Sequence, residues 1–291
     1  MTATVRTSSA AVPASEPDVY AAARKARRRR RNLIWVGRIV LPLIMIGGWQ
    51  WFTTEGWVDK FFFGQPSGVW HSLVHLVQHG TAFGSIWLNL WVTIKEALYG
   101  FLLGTGAGVV VGLLLGQVRF LAEVVGPYIK VANSIPRIIL GSIFIVAFGL
   151  GTFPKVLLAA VLVFFIVFFN AFQGVREVDQ NLVANVKVLG ASPLQVARHV
   201  TVPSALTWII ASLHTAFGFA IIGALVAEVL GAQHGIGLII SEAQGNFDPN
   251  TVFACMTIMA VFTLIAEFVI TLLEKRVLAW RPPNRSETQV V

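Results

Sequence analysis

Residues 182–203, LVANVKVLGASPLQVARHVTVP, form the longest polar interruption between hydrophobic runs in the second half of the chain. A helix-compatible run ends at Gly190, a residue type suited to the left-handed conformation that closes many helices. Ser192 precedes Pro193, and Gln195 stands three residues after the serine. This spacing predicts a capping box with proline at the first helical position. We call residues 182–203 the elbow.

The elbow is therefore predicted to contain two short helices joined at Gly190 and Ala191, with Pro203 starting the next hydrophobic helix. So many signals for helix ends and helix starts are unusual in a segment that only connects two transmembrane helices. A protein that keeps such a segment between apolar helices is expected to dock a partner there.

The composition indicates an all-α membrane protein. Of the 291 residues, 56% are hydrophobic and 12% are charged, and the mean hydropathy is +0.74. Soluble domains carry about 25% charged residues. The single cysteine, Cys255, excludes an intrachain disulfide and lies in an apolar run, where it indicates packing.

Residues 1–32 are predicted to be a disordered, basic cytoplasmic tail. The tail ends in RKARRRRR at 24–31, directly before the apolar run 33–52. Such a run orients the following helix and contacts anionic lipid headgroups. A nucleic-acid-binding arm is the alternative, disfavoured because basic runs beside a span are topogenic. No small-x-small cleavage site follows, so 33–52 is predicted to be a retained first transmembrane helix.

Five further apolar runs approach the ~20 residues needed to cross a bilayer. They lie at 91–116, 127–150, 155–175, 207–230 and 251–273, which gives six transmembrane helices.

The positions of the basic residues predict the orientation. With the N-terminus inside, sixteen of the 22 Lys and Arg residues fall in inner segments and only Lys60 and Lys155 in outer ones. This positive-inside bias places both termini and the elbow in the cytoplasm. The same distribution explains the net charge of +8 without nucleic acid.

The outer segment 53–86 is predicted to contain a helix over 69–80 that lies on the membrane surface. Its apolar residues share one face: Val69, Leu73, Leu76 and Val77. On the other face, His71, His75 and His79 have a spacing that could bind zinc. No carboxylate or cysteine stands beside them, so we predict no metal site.

The second span contains glycines at strict four-residue intervals: Gly100, Gly104, Gly108, Gly112 and Gly116. Glycine costs about 1 kcal/mol in a helix relative to alanine, so this ladder needs a reason. In lipid the reason is close backbone approach to another helix, in the same chain or a second copy. A sliding surface used during transport is the alternative.

Pro136 is predicted to kink the third span and leave a free carbonyl one turn earlier. Asn133, Ser134 and Arg137 cluster at this point. These side chains either hold the kink through interhelical hydrogen bonds or line a cavity on the translocation pathway.

The fifth span contains His214 and ends at Glu228. Ionisable groups within a membrane are candidates for a pathway. The alternatives are an interhelical hydrogen bond for His214 and simple solvation for Glu228 near the outer end. Residues 232–245 are predicted to form a flexible outer loop that serves as a gate or a docking surface.

No reaction chemistry is visible. The chain lacks a Gly-x-x-x-x-Gly-Lys-Ser/Thr phosphate loop, a His-Glu-x-x-His motif and a Ser/His/Asp arrangement. We predict that the chain is not an enzyme, holds no cofactor, and draws energy from a partner or a gradient.

From about residue 93 to 280, the chain resembles the permeases of ABC importers, and in particular the nitrate/sulfonate/taurine branch. The motifs that carry the resemblance are Gly190, Ala191, Ser192 and Pro203 in the elbow, Pro127, Ile135-Pro136, Gly149-Leu150-Gly151, Ala227-Glu228, Gly235-Ile236-Gly237 and Leu273-Glu274-Lys275-Arg276 with Trp280. The Glu-Ala-Ala that opens this loop in the family is replaced by Ala184-Asn185-Val186.

The resemblance implies a type I ABC-importer permease in a bacterial inner membrane. Its expected partners are a second permease copy, two cytoplasmic ATPase subunits docked at the elbow, and an extracytoplasmic substrate-binding protein. The expected cargo is a small, often anionic solute such as a sulfonate, taurine or nitrate, or alternatively a vitamin or pyrimidine precursor. The expected mechanism is alternating access, in which ATP-driven closure of the ATPases moves the elbows.

A stand-alone secondary transporter or channel is the competing class, and a membrane enzyme a third. A secondary transporter would show an internal repeat and coupling carboxylates near mid-membrane, and neither is visible. The predicted organisation is a tail (1–32), a first helix with an outer segment (33–86), a permease core (87–280) and a short cytoplasmic tail (281–291).

Overall fold

A computed structural model describes residues 16–277, which are almost entirely helical. The α-helices are α1 (Glu16–Thr54), α2 (Lys60–Phe63), α3 (Pro66–His79), α4 (Ile86–Gln117), α5 (Arg119–Ser134), α6 (Arg137–Phe148), α7 (Thr152–Arg176), α8 (Gln180–Val188), α9 (Pro193–Val196), α10 (Val202–Leu230), α11 (Ile236–Gly245) and α12 (Pro249–Val277). A π-helical turn, Ala197–Thr201, connects α9 to α10.

The described chain divides into two compact units, α1 up to Glu55 and the segment from Gly56 onward. Helix α1 begins at Glu16, so the basic run at 24–31 is helical, although a disordered tail was predicted there. Residues 1–15 of that tail, Trp280 and the tail 281–291 lie outside the described residues.

Five described helices are long and apolar enough to cross a membrane: Arg27–Thr54, Ile86–Gln117, Thr152–Arg176, Pro193–Leu230 and Pro249–Leu272. A sixth crossing is made only if α5 and α6 are counted together. The third span is interrupted at the predicted place, because Phe120–Ser134 and Arg137–Phe148 are two helices bent by 85° on either side of Ile135 and Pro136. Ile135 and Pro136 adopt extended backbone angles, since proline disfavours the helical conformation in the residue before it.

Helix α7 is the centre of the second unit and packs against both α4 and α10. The glycine ladder lies along the α4–α7 contact, so its partner is a helix of the same chain. A methyl group added at Gly108 would lie 2.9 Å from the carbonyl oxygen of Phe164, and one at Gly104 would lie 2.5 Å from that of Ala160. Gly106, which is outside the four-residue period, has open space around it.

Two expectations for the outer side are wrong. The stretch 232–245 is not a flexible loop, because Ile236–Gly245 is helix α11 and Ile236 and Ile239 are fully buried. Helix α3 does not rest on lipid through its apolar face, because Val69, Leu73 and Leu76 pack into the protein core.

Candidate functional sites

In the first half of the elbow, the C-terminus of helix α8 is capped by backbone hydrogen bonds. Gly190 has φ +87°, and its N–H donates to the carbonyl of Lys187 at 2.9 Å, while the N–H of Ala191 donates to that of Val186 at 3.2 Å. These two bonds are those of the Schellman motif. They fix the direction in which the chain leaves α8.

The second half of the elbow starts with the predicted capping box. The Ser192 N–H donates to Oε1 of Gln195 at 2.7 Å, and the Gln195 N–H donates to Oγ of Ser192 at 3.4 Å. Pro193 occupies the first turn of α9. Both sides of the Gly190 turn are therefore ordered by local hydrogen bonds.

The predicted start of the next span at Pro203 agrees with the start of α10 at Val202, because Pro203 lies in the first turn of that helix. Residues Pro193–Leu230 are continuously helical, and the π-helical turn lies just before Pro203. Proline cannot donate to the carbonyl four residues earlier and its ring crowds that group. The wider π turn accommodates this without a break, so the helical path continues from α9 into α10.

The elbow presents apolar side chains to its surroundings. Val188 is 87% exposed, Leu189 86% and Leu194 77%. Ala184 and Asn185, which replace the first two family residues, are also exposed, and Val186 is half-buried. We call the exposed side chains of Val188, Leu189 and Leu194 the apolar knob of the elbow. No carboxylate is present at residues 184–186 beside it.

Glu228 is completely buried at the opposite end of α10, so the alternative that it is simply solvated is wrong. Thr93 donates its hydroxyl to Oε1 of Glu228 at 2.7 Å, and the N–H of Gly237 donates to Oε2 at 2.7 Å. Asn89 accepts from the N–H of Gly235 at 2.8 Å, and Oγ1 of Thr93 accepts from that of Ile236 at 2.9 Å. Three consecutive backbone donors at the start of α11 are thus held by side chains of α4 and α10.

Two further ionisable residues lie beside this group. Glu96 is 1% exposed, and the ammonium group of Lys155 lies 3.9 Å from its Oε1. Lys155 also donates to the carbonyls of Leu150 at 2.7 Å and Gly151 at 3.0 Å. We call Asn89, Thr93, Glu96, Lys155 and Glu228 the outer polar cluster. It joins α4, α7, α10 and α11.

His214 links α10 to α12. Its Nδ1 contacts Oε1 of Glu267, and its Nε2 lies 2.8 Å from Oε2 of Glu274. All three side chains are partly exposed. With a rise of 1.5 Å per residue, His214 lies about 18 Å from the start of α10 at Val202 and Glu228 about 39 Å. The two groups are therefore separate sites at different depths.

Asn133 and Ser134 lie at the break between α5 and α6. Ser134 donates to the carbonyl of Lys130 at 2.9 Å, and the guanidinium of Arg137 contacts Oδ1 of Asn133. The same guanidinium lies 4.5 Å from the ring centroid of Phe165. Both alternatives stay open, because these side chains stabilise the break and Asn133 and Ser134 are also exposed.

In the outer segment, the rings of His75 and His79 stack at 4.9 Å. Within residues 16–277 no group of three His, Cys, Asp or Glu side chains is arranged to hold a metal ion. The absence of a metal site in the chain stays a prediction.

Sequence reasoning missed the outer polar cluster as a unit. Asn89, Thr93 and Glu96 recur at intervals of four and three on α4, which places them on one helix face. That periodicity was the available signal. The partners Lys155 and Glu228 are too distant in sequence to be inferred from it.

Comparison with known proteins agrees with this architecture. Residues 104–279 match the model of the binding-protein-dependent transport system inner membrane component. The putative aliphatic sulfonates transport permease protein SsuC of Bacillus subtilis is 31% identical over 92% of this chain and 95% of its own length. The riboflavin transport system permease protein RibX of Chloroflexus aurantiacus is 27% identical over 84% and 90%.

A solved structure shares the fold. A chain of the MetNI methionine ABC transporter, in an inward-facing conformation, aligns with a TM-score of 0.58 at 19% identity and covers 66% of this chain and 97% of its own. The apolar helices, the family match and this fold converge on one conclusion. The chain belongs to the inner-membrane components of binding-protein-dependent transport systems, and is a multi-pass permease subunit of an ABC importer.

Proposed function

We propose that this permease imports a small sulfonate-like solute using ATP hydrolysis in two cytoplasmic ATPase subunits. A second copy of the chain completes the translocation pathway, and an extracytoplasmic binding protein delivers the solute. The observation that carries the proposal is the elbow, a locally ordered apolar knob joined to a continuous transmembrane helix, in a chain that matches this family.

The elbow supports coupling because its shape is fixed. The Schellman bonds at Gly190 and the capping box at Ser192 order both of its arms. The π turn then continues into α10 without a break. A displacement of the knob by an ATPase would therefore move α10 as a lever.

In this proposal the ATPase binds the elbow through its shape and its apolar side chains. Val188, Leu189 and Leu194 are exposed, and burying such side chains stabilises an interface by about 1.5–3 kcal/mol each. No acidic residue occupies positions 184–186. An ATPase cleft that fits this elbow is apolar at its centre.

The cargo class rests on relatives. The sulfonate permease of Bacillus subtilis covers nearly the whole chain, which favours a sulfonate-like anion. The riboflavin permease of Chloroflexus aurantiacus gives the second candidate, a vitamin or vitamin precursor.

Three of the four predicted pathway residues keep that role in the proposal: Asn133, Ser134 and His214 are polar and not buried. Glu228 is assigned a different one, because it is buried and fully engaged with Thr93 and Gly237. We assign it to holding the outer ends of α4, α10 and α11 together.

The test is to purify the permease with its neighbouring ATPase and binding protein and to measure uptake in proteoliposomes. ATP-dependent uptake of an alkanesulfonate, with riboflavin excluded, is the expected result. Uptake of riboflavin but not of the alkanesulfonate would contradict the proposed cargo class and would leave the proposed import function standing. Solute flux without any ATPase would contradict ATP-driven transport.

A further inference from the structure

The outer polar cluster contains two buried carboxyl groups. Glu228 is completely buried and Glu96 is 1% exposed. Thr93, which donates its hydroxyl to Glu228, precedes Glu96 by three residues on α4, so both of these α4 side chains lie on the helix face that meets Glu228. The ammonium group of Lys155 lies 3.9 Å from Oε1 of Glu96.

The hydrogen bonding of the two carboxyl groups is unequal. Glu228 accepts from the hydroxyl of Thr93 and from the N–H of Gly237. Neither oxygen of Glu96 accepts a hydrogen bond, and Lys155 is 3.9 Å away, beyond hydrogen-bonding distance. A buried carboxylate without a donor is costly, whereas a neutral carboxylic acid can itself donate.

The charges give a second, independent argument. Two ionised carboxylates and one ammonium would leave a net charge of −1 buried among transmembrane helices, which is strongly unfavourable. One retained proton makes the group of Glu96, Glu228 and Lys155 neutral.

We propose that Glu96 and Glu228 form a buried proton-binding site, in which the neutral carboxylic acid of Glu96 donates a hydrogen bond to the carboxylate of Glu228. Glu228 is the acceptor of three donors, and Glu96 supplies the third. The bond connects α4 to α10. It also positions the start of α11, because the N–H of Gly237 donates to the same carboxylate.

The matched variants are Glu96→Gln and Glu228→Gln. A glutamine at 96 keeps an N–H donor for Glu228 and is neutral like the acid it replaces, so its Tm in detergent should stay within about 2 °C of wild type. A glutamine at 228 moves the negative charge to Glu96, where fewer donors meet it. Its Tm should fall by roughly 4 °C or more.

Infrared spectroscopy of the purified permease detects a protonated carboxyl group directly, and a change in packing alone does not add or remove its carbonyl band. At neutral pH the wild type should show the carbonyl stretch of a protonated carboxylic acid, and Glu96→Gln should lack it. Retention of that band in Glu96→Gln, its absence from wild type, or a Glu96→Gln variant as unstable as Glu96→Ala would overturn the assignment. Stabilisation of wild type by Na⁺ relative to choline, lost in Glu96→Gln, would show instead that a metal cation occupies the pair.

Discussion

The glycine ladder permits a comparison within one helix. Gly108 faces α7 and Gly106 faces open space, although only one residue separates them. Replacing each by alanine adds the same methyl group and the same helix propensity, a gain of about 1 kcal/mol. At Gly108 the methyl would meet Phe164 O at 2.9 Å and Phe168 N at 3.0 Å, both backbone atoms.

Backbone atoms of a packed helix move only if the helix moves, so the Gly108→Ala variant is overpacked. Overpacking costs typically about 1–3 kcal/mol. Since the propensity gain is common to both variants, Gly108→Ala should be less stable than Gly106→Ala by about that amount. For a chain of this size the difference in Tm is roughly 2–10 °C.

Thermal unfolding of the two purified variants in the same detergent, followed by size-exclusion chromatography, measures this difference. Gly108→Leu should go further and prevent folding, because its side chain would separate α4 from α7, while Gly106→Leu should be tolerated. Equal Tm values for the alanine pair, or normal folding of Gly108→Leu, would refute the close-packing argument.

Two further predictions concern the outer and inner faces. An impermeant thiol reagent should label a cysteine at Ser85 in sealed cells and should label one at Ser192 only after the cells are opened; labelling of Ser192 in sealed cells would invert the topology. Changing His71, His75 and His79 together to glutamine should leave transport and Tm unaffected by zinc or chelator, and a stoichiometric zinc signal that disappears in the triple variant would contradict this.

Features with a local cause were predictable from the sequence. The capping box at Ser192 and the turn at Gly190 depend on residues within one or two turns, and both are present. The four-residue glycine period likewise indicated a close contact on one face of α4. The sequence left open which helix makes that contact, because the period is a property of one helix alone.

Features set by distant partners were missed. Solvation was one alternative for Glu228 because of its place near the end of a span, but the residue is buried and accepts a hydrogen bond from Thr93, 135 residues away. The start of α11 looked flexible because it contains Gly235 and Gly237, whose lack of a side chain instead allows close approach to the Glu228 carboxylate. The π-helical turn Ala197–Thr201 that joins α9 to α10 was also missed, because no local signal in the sequence predicts it.

The central claim is that the elbow transmits force from an ATPase to the permease, and Gly190 gives the most direct test. Its φ of +87° is costly for a residue with a Cβ, most of all for a β-branched one, and asparagine tolerates this region best. A Cβ at this position would meet nothing within 4 Å, so backbone conformation alone distinguishes the variants.

The measurement is solute uptake beside ATP hydrolysis in proteoliposomes that contain the permease, its ATPase and loaded binding protein. Gly190→Asn should retain coupled uptake. Gly190→Val should insert and assemble normally, yet lose uptake together with the stimulation of ATP hydrolysis by loaded binding protein. Fully coupled uptake by Gly190→Val would contradict the assignment of the elbow as the coupling element.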